Sequence, residues 1–198
     1  PHDKFLAVAQ TVYDHDYVLP VIHQRGWPQR WTTGGAEGAA AWKQSDDLKR
    51  FHVEAGDAEQ WLRYQHYVPN GIDWQTLGRE PLSPEQRARL KPQLISDFCE
   101  YNSEGTRDRR NPDFSYLGWH WVGDVGLECE LSFGKLGNDD AEAVLEIVEG
   151  GRAYQCRVRP ATGDVALSIS GVAGFRPTAR GVATSAGAHR ARLDRADD

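Results

Sequence analysis

Two tryptophans and an arginine in one short segment are the residues of this sequence best suited to bind a ligand. Trp27, Arg30 and Trp31 lie in the run Gly-Trp-Pro-Gln-Arg-Trp. Exposed indole rings on loops stack on sugars or peptides, and a guanidinium can lie over an aromatic ring. The same rings can instead pack the loop onto the domain, since each buries a large area. We predict Trp27, Arg30 and Trp31 as ligand-binding residues, with loop packing as the alternative.

The other residue types that support catalysis do not form a catalytic motif. The seven histidines show no metal-binding spacing, and no Gly-x-Ser-x-Gly segment presents a serine nucleophile. Gly34-Gly35 is not followed by the Lys-Ser or Lys-Thr of a phosphate loop. Glu128 and Glu130 are a carboxylate pair, but their spacing is more typical of a solvated strand face. The sequence therefore predicts no catalytic residue, no metal site and no cofactor, and alone identifies no enzyme.

The three cysteines, Cys99, Cys129 and Cys156, have a spacing that fits no zinc site. Cys129 and Cys156 occupy inward positions of the strands predicted below. Such cysteines most often act as small buried hydrophobic residues. The alternative is a disulfide between Cys129 and Cys156, which requires their Cα atoms to lie within about 7 Å.

The composition limits the partners and the setting of the protein. The formal net charge of −6 over 198 residues argues against binding to nucleic acid or to anionic lipid, since both require a basic face. No apolar run is long enough to span a membrane, and the N-terminus lacks the order of a signal peptide. The sequence contains no methionine and begins at Pro1. We therefore expect a processed chain or a piece of a longer protein. Three acidic pairs could bind Ca²⁺ or form solvated turns: Asp14 and Asp16, Asp46 and Asp47, and Asp139 and Asp140.

The second half of the chain predicts strands joined by tight turns. Apolar and polar residues alternate strictly from Val125 to Phe133, as in a half-buried strand. Further strand patterns cover Ala143–Glu149, Arg152–Arg159 and Val165–Ile169. Gly150-Gly151 is a two-residue hairpin signal. These four strands predict an antiparallel meander with one apolar face.

The first half supplies elements that could cover this face. Strand-like runs lie at Phe5–Tyr13, Trp61–Val68 and Gln93–Tyr101, and Ser83 begins a capping box for one short helix that Pro92 ends. We predict an all-β fold, an antiparallel β-sandwich of concanavalin or laminin-G type with one short helix. The predicted single domain covers residues 1–173, with long loops at 14–41, 71–81 and 102–115. Residues 174–198 are predicted to be poorly structured or a truncated terminal strand.

Several strings, taken in their order along the chain, resemble one known family. They are Phe5-Leu6-Ala7; Thr11 to Asp16 with Val18-Leu19-Pro20; Gly26 to Trp31; Leu94 to Phe98 with Tyr101-Asn102; Trp121 to Asp124 with Leu127-Glu128-Cys129; and Val148 to Arg152 with Ala161-Thr162-Gly163. Together they resemble the large extracytoplasmic insert of the signal peptidase I proteins (S26 family) of planctomycete-type bacteria. The resemblance covers roughly Lys4 to Gly163 and fades after Phe175.

The resemblance implies a membrane-anchored hydrolase, a serine protease that removes signal peptides during protein secretion. Such enzymes use a serine in Ser-x-Met-x-Pro and a lysine in Lys-Arg followed by Gly-x-Pro-Gly. Neither motif occurs here, so no catalytic residue is carried over to this sequence. The resemblance thus implies a fragment of the parent enzyme, its non-catalytic extracytoplasmic domain, which would be inactive alone.

The resemblance also implies a location at the extracytoplasmic face of the cell membrane, reached through segments of the parent protein outside this chain. The expected partner is a preprotein or a cell-envelope component, with no nucleic acid. The alternative that the tryptophan-bearing loops favour is a stand-alone, lectin-like carbohydrate-binding module.

Overall fold

The computed structural model describes residues 6–7, 9–35, 42–54, 56, 58–96, 107–108, 111–115, 121–134, 140–182 and 188–195. The chain forms two compact units, Leu6–Val122 and a unit containing Gly123–Asp198. We call them the N-terminal and C-terminal units and describe each by itself. Within the described ranges, strands outnumber helices and every strand pair is antiparallel. The predicted β-rich, antiparallel character is therefore confirmed.

Within its described residues the N-terminal unit contains short strands, three helices of five or more residues and a helical segment at Leu6 and Ala7. Their bounds are α1 (Pro20–Gln24), β1 (Trp31–Gly35), β2 (Lys43–Gln44), β3 (Phe51–His52), β4 (Gln60–Tyr64), α2 (Gly71–Arg79), α3 (Pro84–Arg89), β5 (Arg107–Asp108) and β6 (Asn111–Ser115). The strands pair as β1 with β4, β2 with β3, and β5 with β6. The predicted strand at residues 61–68 is thus present in part, as β4.

Two capping boxes begin the longer helices. Ser83 accepts from the Gln86 amide and Gln86 reaches back to the Ser83 amide, so the predicted helix is confirmed as α3. Asn70 and Asp73 form the same reciprocal pair at the start of α2. Residues 71–81 were expected to be a loop, and this expectation was wrong because the Asn70 cap satisfies amide groups that a loop would leave to solvent.

A small apolar core joins the helices of this unit. Trp27, Leu77 and Leu82 are buried, and the partly buried side chains packed against them are Val21, Ile22, Tyr67, Trp74 and Leu90. Helix α1 begins at Pro20, whose fixed φ suits the first turn of a helix. The predicted loop at 14–41 therefore contains a helix and the strand β1, because this helix and Trp27 contribute to the apolar core. The loop predicted at 102–115 likewise contains β5 and β6.

Two predicted strands of this half are not formed as expected. In the run Phe5–Tyr13, Leu6 and Ala7 are helical and residues 9–13 form no strand, since the Tyr13 side chain packs against the Tyr64 ring and its backbone joins no ladder. In the run Gln93–Tyr101, residues 93–95 form no strand and Ser96 forms one isolated bridge to Trp121. The rest of that run lies outside the described residues.

The C-terminal unit contains a hairpin that the sequence predicts closely. Its elements are β7 (Val125–Ser132), β8 (Ala143–Glu149), β9 (Arg152–Arg159), β10 (Asp164–Ile169), β11 (Thr178–Ala179) and β12 (Ala188–Arg195). Gly150 and Gly151 join β8 to β9 with φ values of 57° and 76°. Two successive positive φ angles are those of a two-residue type I′ turn, which favours glycine. The turn predicted at Gly150-Gly151 is confirmed.

The first strand of the predicted meander has a different partner. Strands β8, β9 and β10 form the meander and β11 adds to its edge, whereas β7 pairs with β12 along its whole length. Exposure alternates residue by residue along β7, as predicted. The prediction that β7 is the first strand of the meander was wrong, because Ala188–Arg195 supplies an antiparallel partner of equal length for β7. The tail, expected to be poorly structured or truncated, thus contains an eight-residue strand.

Candidate functional site

An open pocket in the N-terminal unit is the candidate site. Its cavity volume is about 50 Å³, within an open region of about 600 Å³ that includes bulk solvent. The walls come from the segment 13–19, helix α1, the segment 27–31 and the β2–β3 hairpin. All three residues predicted to bind a ligand, Trp27, Arg30 and Trp31, contribute to the walls.

Trp27 is a core residue as well as part of the pocket wall. It is only 5% exposed and packs with Leu77 and Leu82, so its rings are not a free stacking platform. Loop packing, the alternative considered for the tryptophans, therefore describes Trp27 well. Its indole Nε1–H is buried and has no acceptor among the described residues.

The start of β1 positions Arg30 and Trp31. The carbonyl of Arg30 accepts from the Gln65 amide at 2.6 Å, and Trp31 stands opposite Tyr64 in the β1–β4 register. The Trp31 and Tyr64 rings are 5.3 Å apart between centroids. Strand pairing thus holds Arg30 and Trp31 at the pocket, shortly after Gly26, whose φ of 78° follows the end of α1.

The guanidinium of Arg30 lies among aromatic rings. It stands 4.6 Å from the centroid of the Tyr13 ring, and Nη1 donates a long hydrogen bond of 3.5 Å to the Tyr64 hydroxyl. A cation over a tyrosine face is attracted by the ring quadrupole. Within the described part of the chain, no carboxylate forms an ion pair with Arg30.

The charge of Arg30 acts on a buried histidine. His66 is 5% exposed, and its Nδ1 lies 3.0 Å from the Tyr64 hydroxyl. Burial lowers the pKa of His66 to about 4, and the positive charge of Arg30 contributes to this shift. His66 is therefore neutral at pH 7. Because Arg30 donates to the Tyr64 oxygen, the Tyr64 proton is available for Nδ1.

A second tyrosine–histidine pair lies beside the first. The Tyr13 hydroxyl is 2.7 Å from His15 Nδ1, and the His15 ring stacks on Phe51 with centroids 5.1 Å apart. Burial lowers the pKa of His15, while the Leu48 carbonyl, Asp16 and Asp14 oppose that shift. Nε2 is buried and no hydrogen bond of normal geometry reaches it from the described residues, the Leu48 carbonyl included.

Among the described residues, the pocket wall contains a cation but no anion. Arg30 is its charged side chain, and the remaining polar side chains are uncharged or histidine. The apolar part comes from α1, the segment before it and the β2–β3 hairpin, and consists of Val18, Leu19, Ile22, Leu48 and Phe51. The arrangement can accommodate an uncharged or anionic group next to an apolar one.

Two of these functional residues, His15 and His66, were not singled out from the sequence. A signal was present, since Tyr-x-His occurs at both Tyr13–His15 and Tyr64–His66. A spacing of two residues does not bring a tyrosine hydroxyl to a histidine nitrogen in every backbone conformation. The structure shows both contacts and places the Tyr13 and Tyr64 rings 5.5 Å apart.

The remaining predicted residues lie in the C-terminal unit. Cys129 and Cys156 are half-buried free thiols in this structure, and their disulfide stays a prediction. Burial raises the pKa of both thiols, and the negative charges of Glu128 and Cys156 raise that of Cys129 further.

Glu128, one of the two glutamates considered for glycoside hydrolysis, forms local contacts, as do Asp14 and Asp47 of the acidic pairs, whereas Asp139 lies outside the described residues. Glu128 forms ion pairs with Arg190 and Arg192 on the facing strand. Asp14 accepts from the Asp16 amide, and Asp47 accepts from Ser45 and the Lys49 amide. Across the described ranges, no group of three or more His, Cys, Asp or Glu is arranged to hold a metal ion.

Comparisons with protein-family models, with curated proteins and with solved structures found no match to this chain. Among the helices that the structure describes, none is both long and apolar enough to cross a membrane.

Proposed function

We propose that this chain is a non-catalytic, ligand-binding part of a signal peptidase I-like protein, and that the pocket of the N-terminal unit is its binding site. The family assignment depends on the ordered sequence strings. The binding role has separate support, since Trp27, Arg30 and Trp31 all line one aromatic pocket. In this proposal the ligand belongs to a preprotein or a cell-envelope component at the extracytoplasmic face of the membrane.

The observation that carries the binding role is a half-buried arginine within a pocket where none of the described wall residues is a carboxylate. Purely structural arginines are usually paired, because an unpaired charge loses hydration on burial. A pocket that contains such a group, together with two lining residues whose buried nitrogen atoms have no hydrogen-bond partner among the described residues, is better explained by a ligand than by packing alone.

A small-molecule fragment screen by ligand-observed NMR tests the binding role. We expect hits whose signals are lost in Trp31→Ala or Trp31→Phe and kept in Trp61→Ala. Trp61 is a matched control because it lies on β4 away from the pocket wall, under Arg63. A screen in which no hit depends on Trp31 or Arg30 would exclude the pocket as a binding site.

The family assignment has its own test in the gene. We expect an in-frame coding region beside this one to encode a membrane-spanning segment and the serine and lysine motifs of a signal peptidase. A coding region that lacks both would overturn the assignment while leaving the pocket's binding role open.

A stand-alone carbohydrate-binding module is the second candidate. Trp31 supports it, because this half-buried ring lines an open pocket and aromatic faces stack on sugars. A glycan array with the protein and its Trp31→Ala variant tests the candidate. Binding to neutral glycans that the variant loses would favour it over the peptidase-related role.

For the finer fold we propose the predicted sandwich of concanavalin or laminin-G type. In the C-terminal unit the sheet β7–β12 meets the meander through Arg195, whose guanidinium lies 3.3 Å from Glu149 and 5.7 Å from the Tyr154 ring centroid. Glu149 and Tyr154 share the inward parity of Cys156 and Ile147, which supports packing of the two apolar faces. An experimental structure in which those faces point apart would contradict this proposal.

A further inference from the structure

We infer that the pocket of the N-terminal unit binds a small organic carboxylate with an apolar tail, with Arg30 receiving the carboxylate. This inference depends on the proposed binding role and specifies the chemistry of its ligand.

Arg30 presents more donor capacity than its contacts use. A guanidinium carries five N–H donors in a planar fork that matches a carboxylate. Here it makes one long hydrogen bond to Tyr64 and lies over the Tyr13 ring. Neither contact neutralises its charge. A ligand carboxylate would supply the charge-assisted, two-pronged hydrogen bonds that the described residues do not.

Two buried nitrogen atoms on pocket-lining residues have no hydrogen-bond partner of normal geometry among the described residues, although the Leu48 carbonyl lies close enough to His15 to raise its pKa. Trp27 Nε1–H can only donate. In the neutral His15 tautomer in which Tyr13 donates to Nδ1, Nε2 also carries a proton and donates. Buried donors are nearly always satisfied in folded proteins. A group that only accepts, such as a carboxylate, complements this set of donors better than a hydroxyl.

A cationic ligand would fit the pocket less well than an anionic one. It would be repelled by Arg30 and would find no carboxylate among the described residues of the wall. Asp14 and Asp16 lie close enough to His15 to affect its pKa, but both are exposed and neither lines the pocket. Val18, Leu19 and Phe51 then provide an apolar surface for the rest of the ligand.

The test is isothermal titration of the full chain with 3-phenylpropionate and with 3-phenylpropionamide, which has the same tail without the charge. We expect the carboxylate to bind at least about tenfold more tightly than the amide, because a charge-assisted hydrogen bond is the stronger kind. Arg30→Gln should abolish this preference. Arg89→Gln is the control, since Arg89 is exposed at the end of α3 and does not line the pocket.

A second readout separates binding at Arg30 from binding elsewhere on the protein. Saturating 3-phenylpropionate should raise the pKa of His66 measured by NMR, because the ligand's charge offsets that of Arg30, whereas the amide should not. Arg30→Lys keeps the charge and allows a check on folding while losing the planar fork. Equal affinity for the acid and the amide, or an acid preference that survives Arg30→Gln, would overturn the inference. If the amide or a glycan bound in a Trp31-dependent way, the proposed binding role of the pocket would stand without the inferred carboxylate specificity.

Discussion

At the scale of single residues, burial and the charge of Arg30 explain why His66 is neutral at pH 7. Tyr64 connects the two groups, accepting from Arg30 and lying 3.0 Å from His66 Nδ1. Burial and the arginine charge act in the same direction, since each disfavours a protonated imidazole. The aromatic rings of Tyr13 and Trp31 shield this network on either side.

Removing the positive charge of Arg30 should raise the pKa of His66. In Arg30→Gln we expect the His66 pKa to rise from its value of about 4 but to stay below 6.5, because burial is the larger cause and remains. A pH titration of the His66 ring protons by NMR measures the change. Arg89→Gln serves as the control, and a His66 pKa that did not move in Arg30→Gln would show that the two groups are electrostatically independent.

Stability should fall as the pH falls through the range set by His66. Its pKa is lower in the folded chain than the ordinary 6.5, so below that pH the unfolded chain binds more protons than the folded one. The free energy of unfolding should therefore decrease between pH 6.5 and about 4, by up to roughly 3 kcal/mol from this residue. The lowered pKa of His15 adds to the decrease with the same sign.

Urea denaturation at several pH values measures this decrease, with His66→Gln as the matched variant. Glutamine can still accept from Tyr64 but does not titrate, so the slope between pH 6.5 and 4 should be shallower in the variant. Identical slopes for the two proteins would contradict the assignment of a strongly lowered pKa to His66.

At the scale of elements, the caps of α2 and α3 decide where the helices begin. Asn70 accepts from the amides of Ile72 and Asp73 at 2.8 and 3.1 Å, while its own amide donates to Asp73 at 2.8 Å. Helix α2 contributes the fully buried Leu77, which packs against Trp27. The cap therefore supports the core behind the pocket wall.

Loss of the α2 cap should destabilise the chain measurably. Asn70→Ala removes the acceptor for two amides, and we expect a loss of about 1 kcal/mol in the free energy of unfolding. Chemical denaturation measures the loss, and Gln75→Ala, an exposed change on the same helix, should leave stability nearly unchanged. Equal stabilities for Asn70→Ala and Gln75→Ala would contradict the role given to this cap.

Cys129 and Cys156 occupy comparable register positions in their two sheets, counted from the contact between Arg195 and Glu149. Cys129 lies four residues from Val125, the partner of Arg195, and Cys156 pairs with Leu145, four residues from Glu149. Arg195 contacts Glu149, so the two ladders start from a common point. The raised pKa of each thiol makes both slow to react near neutral pH.

We therefore predict that oxidised glutathione at alkaline pH links Cys129 to Cys156, with two protein thiols becoming one disulfide and one oxidised glutathione becoming two reduced molecules. In a Cys99→Ser background, intact mass should fall by two hydrogen atoms and the melting temperature should rise. Cys129→Ser should show neither change. A product carrying glutathione on each cysteine, without the cross-link, would show that the Cα atoms lie too far apart.

At the scale of the whole molecule, the chain forms two units of different construction. The C-terminal unit consists of paired strands with tight turns, and ion pairs such as Glu142 with Arg157 and Arg159 lie on its surface. The N-terminal unit combines short helices with two- to five-residue strands and carries the pocket. The pocket and the longer strands therefore belong to different units of the chain.

Prediction from sequence succeeded where local rules were sufficient. The alternation of β7, the Gly150-Gly151 turn and the Ser83 capping box each depend on residues a few positions apart. Local patterns do not predict α2, because its apolar positions form no strong stripe, although Asn70 and Asp73 carry a capping signal. The strand predicted at Phe5–Tyr13 is also absent from the described residues of that run, where Tyr13 packs against Tyr64 and does not join a sheet.

The sequence by itself determined the chemistry available at the pocket, in the run from Trp27 to Trp31, and the positions of the tightest turns and one helix start. Only the tertiary structure decided that β7 pairs with β12 and that Arg30 contacts Tyr13 and Tyr64, the tyrosines that pair with His15 and His66. The physical reason is distance along the chain. Strand pairing and ring contacts between residues tens of positions apart depend on burial and on competition among alternative pairings. A local sequence pattern does not show which of these pairings is the most stable.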